Sequence, residues 1–387
     1  MPKPAPRVEK VPPYLFARID KKKAEARARG IDLVDLGVGD PDIPTPPHIV
    51  KAMQEALKNP KNHRYPDYEG TPALRRAAAE WFFKRYGVQL DPDREVLILI
   101  GSKEGIAHLP WAYLGEGDTA LIPSPGYPVY KVMSLLAGGT PYIMPLREEN
   151  EFRPVFDDIP EEMKKKAKIC FLNYPNNPTG AYGDDAFYEK AIDLARKYDI
   201  LICHDAAYSE LTYDGYTAKS ILEFDREKRY SIEFLSLSKT YCMTGWRVAF
   251  AVGSAAAIEN LGKLKTNIDS GVFLAIQEAA VTALSGSQDC VREVKEIFQR
   301  RRDLAVDGLA SAGIRVRKPR ATFYIWAHVP QGYTSAAFAE MLIEKTGVVV
   351  TPGSGFGEEG EGYFRVSITA PEERILEAAA RLRKLGL

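Results

Sequence analysis

The chain has 387 residues, 45% of them hydrophobic, and a formal net charge of +0 from 52 basic and 52 acidic side chains. That balance leaves no basic footprint for nucleic acid, and no apolar run approaches the roughly 18 residues of a membrane span. The length suits two sizeable domains. The four cysteines (Cys170, Cys203, Cys242, Cys290) lie far apart with no Cys-x-x-Cys, and the five histidines show no metal-ligand spacing. Reduced thiols, no metal and a cytoplasmic location are expected. The opening Met-Pro-Lys-Pro-Ala-Pro has no apolar signal core.

From about residue 50 to 285, strand-like runs alternate with helical patterns. In Glu95–Ile100 every residue after the glutamate is apolar and a glycine follows, as in a strand buried on both faces. Thr119–Pro123, Ala167–Asn173, Ile200–Cys203, Glu233–Leu237 and Arg247–Val252 read the same way. Between them lie helices such as Asp184–Tyr198, with Phe187, Ala191, Leu194, Ala195 and Tyr198 on one face. Lys164-Lys165-Lys166 reads as a solvated helix face. This alternation predicts a mainly parallel sheet covered by helices. After Gly286 the order changes. A long helix over Cys290–Ala312 precedes strands at Thr322–His328, Gly347–Val350 and Tyr363–Thr369, with helices near Ser335–Lys345 and from Pro371. The pattern predicts a large α/β domain over 47–286 and a smaller α+β domain over 287–387. Residues 1–46 are too few to fold alone and are expected to pack on the smaller domain, leaving a cleft between the two units for a small molecule.

Four segments end predicted strands with polar residues, where open α/β sheets bind ligands. Gly101-Ser-Lys-Glu-Gly105 opens a helix, and its free N–H groups with Ser102 and Lys103 suit a phosphate; a plain strand-to-helix turn is the ordinary alternative. Asn173-Tyr-Pro-Asn-Asn-Pro-Thr-Gly180 is an irregular loop fixed by two prolines. In His204-Asp-Ala-Ala-Tyr208 a strand-end carboxylate needs a cation, and a pyridinium nitrogen is one; a surface turn would explain it as well. Lys239 follows Ser236 and Ser238 and precedes Arg247 by eight residues. Its amine suits imine formation with an aldehyde cofactor whose phosphate the serines and arginine hold, although a lysine snorkelling from a strand end is also ordinary.

Asn-Asn-Pro-Thr-Gly, Asp-Ala-Ala-Tyr, Ser-Leu-Ser-Lys and Gly-Trp-Arg stand in the order and spacing of the class I aminotransferases of fold-type I, which the whole chain resembles. The resemblance implies an α/β large domain with a seven-stranded, mainly parallel sheet, a smaller α+β domain, and pyridoxal 5'-phosphate as cofactor. It implies Lys239 as the Schiff-base lysine, Asp205 as partner of the pyridinium nitrogen, and Tyr208 with Asn177 at the phenolate oxygen. Tyr127 would stack on the ring, and Ser102, Lys103, Ser236, Ser238 and Arg247 would hold the phosphate. Arg365 would grip the substrate α-carboxylate, with Gly39 closing over it and Tyr127 and Asn177 also facing substrate. Tyr65 would reach the phosphate of a neighbouring subunit, which implies a homodimer.

Pro13–Asp20, Tyr65–Gly70, Gly101–His108 and Asn267–Gly271 further resemble the LL-diaminopimelate aminotransferase branch of that family. That resemblance implies amino transfer between LL-diaminopimelate with 2-oxoglutarate and tetrahydrodipicolinate with glutamate, in lysine biosynthesis. Tyr14, Lys103 and Asn267 would serve the distal end of the substrate. Better-known members carry a glutamate where this chain has Tyr68, so Glu69 or Asp67 would supply the acceptor. A sibling aminotransferase for aspartate, alanine or aromatic substrates would keep every cofactor residue, and a carbon–sulfur lyase would share the carbanion. A cofactor-bound transcriptional regulator would need a DNA-binding domain, for which the residues before Tyr14 leave no room. A nicotinamide dehydrogenase is disfavoured, because Gly353-Ser-Gly-Phe-Gly357 lacks strand and helix context and reads as a flexible loop.

Overall fold

The computed structural model describes residues 2–11 and 16–386. Twelve strands are found among them: β1 Val34–Asp35, β2 Val96–Leu99, β3 Thr119–Ser124, β4 Thr140–Pro145, β5 Ala167–Leu172, β6 Leu201–Asp205, β7 Ser231–Ser236, β8 Ala249–Gly253, β9 Tyr324–His328, β10 Val348–Val349, β11 Thr351–Pro352 and β12 Tyr363–Ser367. Seven form one sheet in the order β2-β8-β7-β6-β5-β3-β4. Only β8 runs against its neighbours, β2 and β7; the other pairings are parallel.

Successive side chains of a strand point to opposite faces, and the sheet buries both. One face carries Ile98, Leu121, Cys170, Leu172, Ile202, Leu235 and Phe250 into a core with the helices Pro72–Tyr86, Asp185–Tyr198 and Leu274–Ser285. The other carries Leu99, Ile122, Phe171, Cys203, Phe234 and Ala251 against Ser102–Tyr113 and Ala255–Lys265. The helix ends follow local chemistry. Asp184 accepts from Phe187 N–H at 2.9 Å, and Pro72–Tyr86 stops at Gly87 with φ 72°.

β9, β11 and β12 make a separate antiparallel sheet in the order β11-β12-β9. The helices Asp289–Ser311 and Glu372–Arg383 belong with it, and their close approach requires Gly308, where a Cβ would lie 2.5 Å from the Ala379 Cβ. The N-terminal segment is woven into this part: Val34 pairs with Val348 in a parallel two-stranded sheet, and Ser367 N–H donates to Leu36 O at 2.7 Å. Arg301 of the long helix clamps Asp42 bidentately at 2.6 and 3.0 Å, fixing the stretch that follows Gly39.

Two expectations change. The expected run Gly347–Val350 is a strand only at Val348–Val349 (β10), and a second short strand, β11, follows it at Thr351 and pairs in a different sheet. Gly353–Phe356 is not a loose loop but a 3₁₀ turn packed on the large sheet, where Gly126 N–H donates to Phe356 O at 2.8 Å and Ser124 donates to Glu359.

Phe298 is fully buried on the long helix and meets Phe323, just before β9, at 5.5 Å between ring centroids. Truncation there leaves a cavity the aromatic neighbours cannot fill. Phe298→Ala is expected to lower stability by about 3–5 kcal/mol in urea unfolding of the cofactor-free protein; a loss under about 1 kcal/mol would contradict this packing.

Candidate active site

β6 ends at Asp205, which is buried. Tyr130 donates to its Oδ2 at 2.7 Å, and Ala207 N–H approaches Oδ1 at 3.4 Å. Burial raises the Asp205 pKa above the ordinary carboxylate range, and the Tyr130 hydrogen bond acts against that rise. Asn173 ties the strand end to the following loop: its Nδ2 donates to Asp205 O at 2.7 Å and its Oδ1 accepts from Asn177 N–H at 2.8 Å. Among the described residues no cation pairs with Asp205. A buried carboxylate so placed is complementary to a positively charged ring nitrogen.

β7 ends at Ser236, whose hydroxyl accepts from Ser238 N–H at 3.2 Å and turns the chain into the single helical turn Leu237–Thr240. That turn presents Lys239. Its Nζ donates to Gly39 O at 2.9 Å and lies 5.3 Å from the Phe323 ring centroid. Burial above all, opposed by Asp40 and helped by Arg247 and Arg365, lowers the Lys239 pKa to about 8. The neutral, nucleophilic amine is therefore accessible near physiological pH.

Across from Lys239, Gly101 adopts φ 77° and the helix Ser102–Tyr113 begins with no side-chain cap, so its first N–H groups remain free for an anion. The Arg247 guanidinium lies over Gly101 closely enough that a Cβ there would collide with it. Ser102 is half-buried and Lys103 exposed at this helix start, beside Arg247.

The third cation is Arg365 on β12, 2% exposed. Nη1 donates to Asn177 Oδ1 at 2.8 Å and Nη2 to Gly37 O at 2.7 Å. Its plane lies between two rings, with Tyr324 at 4.1 Å and Phe356 at 4.7 Å. Nε is buried without a partner, and no carboxylate of the described residues pairs with this guanidinium. Burial lowers its pKa, opposed by Tyr324 and Tyr208, but a guanidinium keeps its proton. Such a group is chemically suited to a carboxylate ligand. Gly39 lies beside it, where any Cβ would strike the Tyr324 hydroxyl. Tyr208 is buried, with its hydroxyl 3.4 Å from that of Tyr324, and Tyr127 packs edge-on against Tyr130 at 5.8 Å.

Lys239, Asp205, Tyr208, Asn177, Arg365 and Gly39 thus converge through hydrogen bonds and ring contacts, with Ser102, Ser236, Ser238 and Arg247 at one edge. Tyr65, Glu69 and Asn267 do not join them. All three are exposed, on two loops that touch each other: a Cβ on Gly271 would lie 3.0 Å from Asp67 O. Glu69 pairs with Arg75 at 3.5 Å, and Asn267 Nδ2 donates to Lys263 O at 2.8 Å. Tyr14 lies outside the described residues. Sequence reasoning missed Tyr130, Asn173, Tyr324 and Phe356. Asn173 opens a motif already singled out, but nothing local marks the other three, and Tyr130 and Tyr324 meet partners 75 and 116 residues away.

An unpaired buried carboxylate, a lysine amine and a cationic edge fit a phosphate-bearing pyridine aldehyde. After incubation with pyridoxal phosphate, borohydride reduction and peptide mapping are expected to label Lys239. The capture rate is expected to rise through a midpoint of about 8 as the amine loses its proton. Labelling at Lys103, or a rate that stays flat from about pH 6 to about pH 10, would contradict this geometry.

The aminotransferase class I and II family matches residues 31–382. The LL-diaminopimelate aminotransferase of Moorella thermoacetica is 54% identical over 381 residues, covering 98% of both chains. That of Desulforudis audaxviator is 55% identical over 379 residues, covering 98% of this chain and 97% of its own. Among solved structures, substrate-bound BacF from Bacillus subtilis superposes with a TM-score of 0.95 at 39% identity, covering 100% of this chain and 99% of that one. The seven-stranded sheet flanked by helices is accordingly the fold-type I architecture. The chain belongs to the class I and II aminotransferases and is a pyridoxal-phosphate-dependent transaminase.

Proposed function

We propose that this enzyme moves an amino group between LL-diaminopimelate with 2-oxoglutarate and tetrahydrodipicolinate with glutamate, in lysine biosynthesis. The observation that carries this reading is the 54–55% identity, over nearly the full length, to proteins bearing that name. Pyridoxal phosphate, when bound, supplies an electron sink for the pair left behind as a substrate α-proton departs.

The residues divide the remaining work. Asp205 holds the proton on the ring nitrogen by Coulomb attraction where water is excluded. Asn177 spends its Oδ1 on Arg365, a pure donor, so its Nδ2 is left to donate to the phenolate oxygen beside the Tyr208 hydroxyl. Ser102, Lys103, Ser236, Ser238 and Arg247 take the phosphate, and Tyr127 covers the ring. Lys239 Nζ removes the α-proton and returns it one carbon away. Arg365 fixes the α-carboxylate, with Gly39 closing over it.

The same reading makes the enzyme a cytoplasmic homodimer. Exposed Tyr65, on the loop that also carries Glu69 and beside the loop of Asn267, would reach the phosphate of the neighbouring subunit. Glu69, or Asp67, would accept from the distal ammonium, while Tyr14, Lys103 and Asn267 serve the distal end. Residues 47–286 would form the cofactor-binding domain and 1–46 with 287–387 the smaller one. In support, Val34 and Leu36 share a core with Phe338, Val348 and Ile375. No helix of the described residues is long and apolar enough to cross a membrane.

A pocket that pairs a distal carboxylate and ammonium leaves its own polar groups unmet when alanine binds, which can cost on the order of 10⁴-fold in specificity. LL-diaminopimelate is therefore expected to exceed aspartate, alanine and aromatic amino acids in kcat/KM. Glu69→Gln should lower kcat/KM for diaminopimelate more than for glutamate, which lacks the distal amine. Alanine or aspartate as the best donor would refute the substrate assignment and leave the transaminase chemistry standing.

A further inference from the structure

Tyr324 stands at the junction of the two halves of the site. Its ring covers one face of Arg365 at 4.1 Å, and its hydroxyl lies 3.4 Å from that of Tyr208 and against Gly39. The backbone leading to it is held in an unfavourable conformation. Thr322 is β-branched, yet has φ 66°. Three hydrogen bonds hold it so: its N–H donates to Leu211 O at 2.8 Å, its carbonyl accepts from Tyr213 at 2.7 Å, and its hydroxyl accepts from Tyr324 N–H at 3.0 Å. Strain retained by this many fixed partners marks a place where the direction of a side chain matters.

We propose that Tyr324 is a positioning residue that couples the grip on the substrate carboxylate to the cofactor's phenolate oxygen, its ring orienting Arg365 and its hydroxyl orienting Tyr208. The inference rests on the site assignment above. A tyrosine hydroxyl has one proton to give. Once Tyr208 spends its own on the phenolate, Tyr324 must donate to the Tyr208 oxygen, which makes Tyr208 the stronger donor. Tyr324 from β9 is in contact with the Tyr208 hydroxyl, while the charges of Asp205 from β6 and Arg365 from β12 act on it through space. A carboxylate that draws Arg365 shifts the ring stacked on it, and with that ring the hydrogen bond to Tyr208.

Two variants of the cofactor-loaded enzyme separate ring from hydroxyl. Tyr324→Phe deletes one oxygen and keeps the stack. Without the donated bond the phenolate is less stabilised, so the pH midpoint of the cofactor's absorption change, read without substrate, should rise by roughly half a unit or more. KM for the amino donor should stay within about twofold, since the cation–π stack remains. Tyr324→Leu should show the same rise and, in addition, a KM increase of about five- to tenfold with a smaller change in kcat. A midpoint unmoved in Tyr324→Phe, or a KM unmoved in Tyr324→Leu, overturns the coupling. If wild type itself captures no cofactor on Lys239, the site assignment fails, and the coupling with it. If wild type titrates normally while the variants are silent, only the coupling falls.

Discussion

Asp205 sets the terms for the rest of the site. It is a carboxylate buried at the end of a central strand, held by Tyr130 and Ala207 and given no cation by the described residues. Burying an ionised group without a partner is costly, and breaking its pairing more so. The carboxylate therefore favours a positively charged partner at the end of β6. A protonated pyridine nitrogen would be the matching cation. The parallel run of β5, β6 and β7 brings the Asn173 loop, Asp205 and Lys239 out at the same edge of the sheet, so under the proposed function ring nitrogen and aldehyde would be addressed from neighbouring strands.

Arg365 is the complementary case, a guanidinium sealed between Tyr324 and Phe356 and paired with no carboxylate of the described residues. It comes from the small antiparallel sheet, whereas Asp205 and Lys239 come from the large one. The two halves are joined by a few specific contacts: Arg365 to Asn177, Lys239 to Gly39 O, Phe356 O to Gly126 N–H, and Ser124 to Glu359. Arg301 with Asp42 anchors the Gly39 segment to the long helix.

How much of this could be read from the sequence depended on the range of the interactions involved. β2, β5 and β6 stood out because they are buried on both faces, which leaves a continuous apolar signature. β4 did not: it is an edge strand, mostly half-exposed, and carries Pro141 and Pro145, so neither alternation nor an apolar run marks it. Lys239, Asp205 and Asn177 were legible because each follows a strand in a recognisable string. Tyr130 and Tyr324 were not, since their value lies in partners 75 and 116 residues away, Asp205 and Tyr208 respectively. The 3₁₀ turn at Gly353 was misjudged because its order comes from Ser124 and Gly126 across the cleft rather than from its own glycines.

The most direct test of the central claim is the protonation state of the cofactor's ring nitrogen, read by ¹⁵N NMR of labelled pyridoxal phosphate bound to wild type and to Asp205→Asn. The account predicts a protonated nitrogen in wild type from neutral to alkaline pH, and a nitrogen that has lost its proton by neutral pH in the variant, with the cofactor still attached to Lys239. A nitrogen equally protonated in both proteins, or unprotonated in wild type, would contradict the role given to Asp205 and the site built around it.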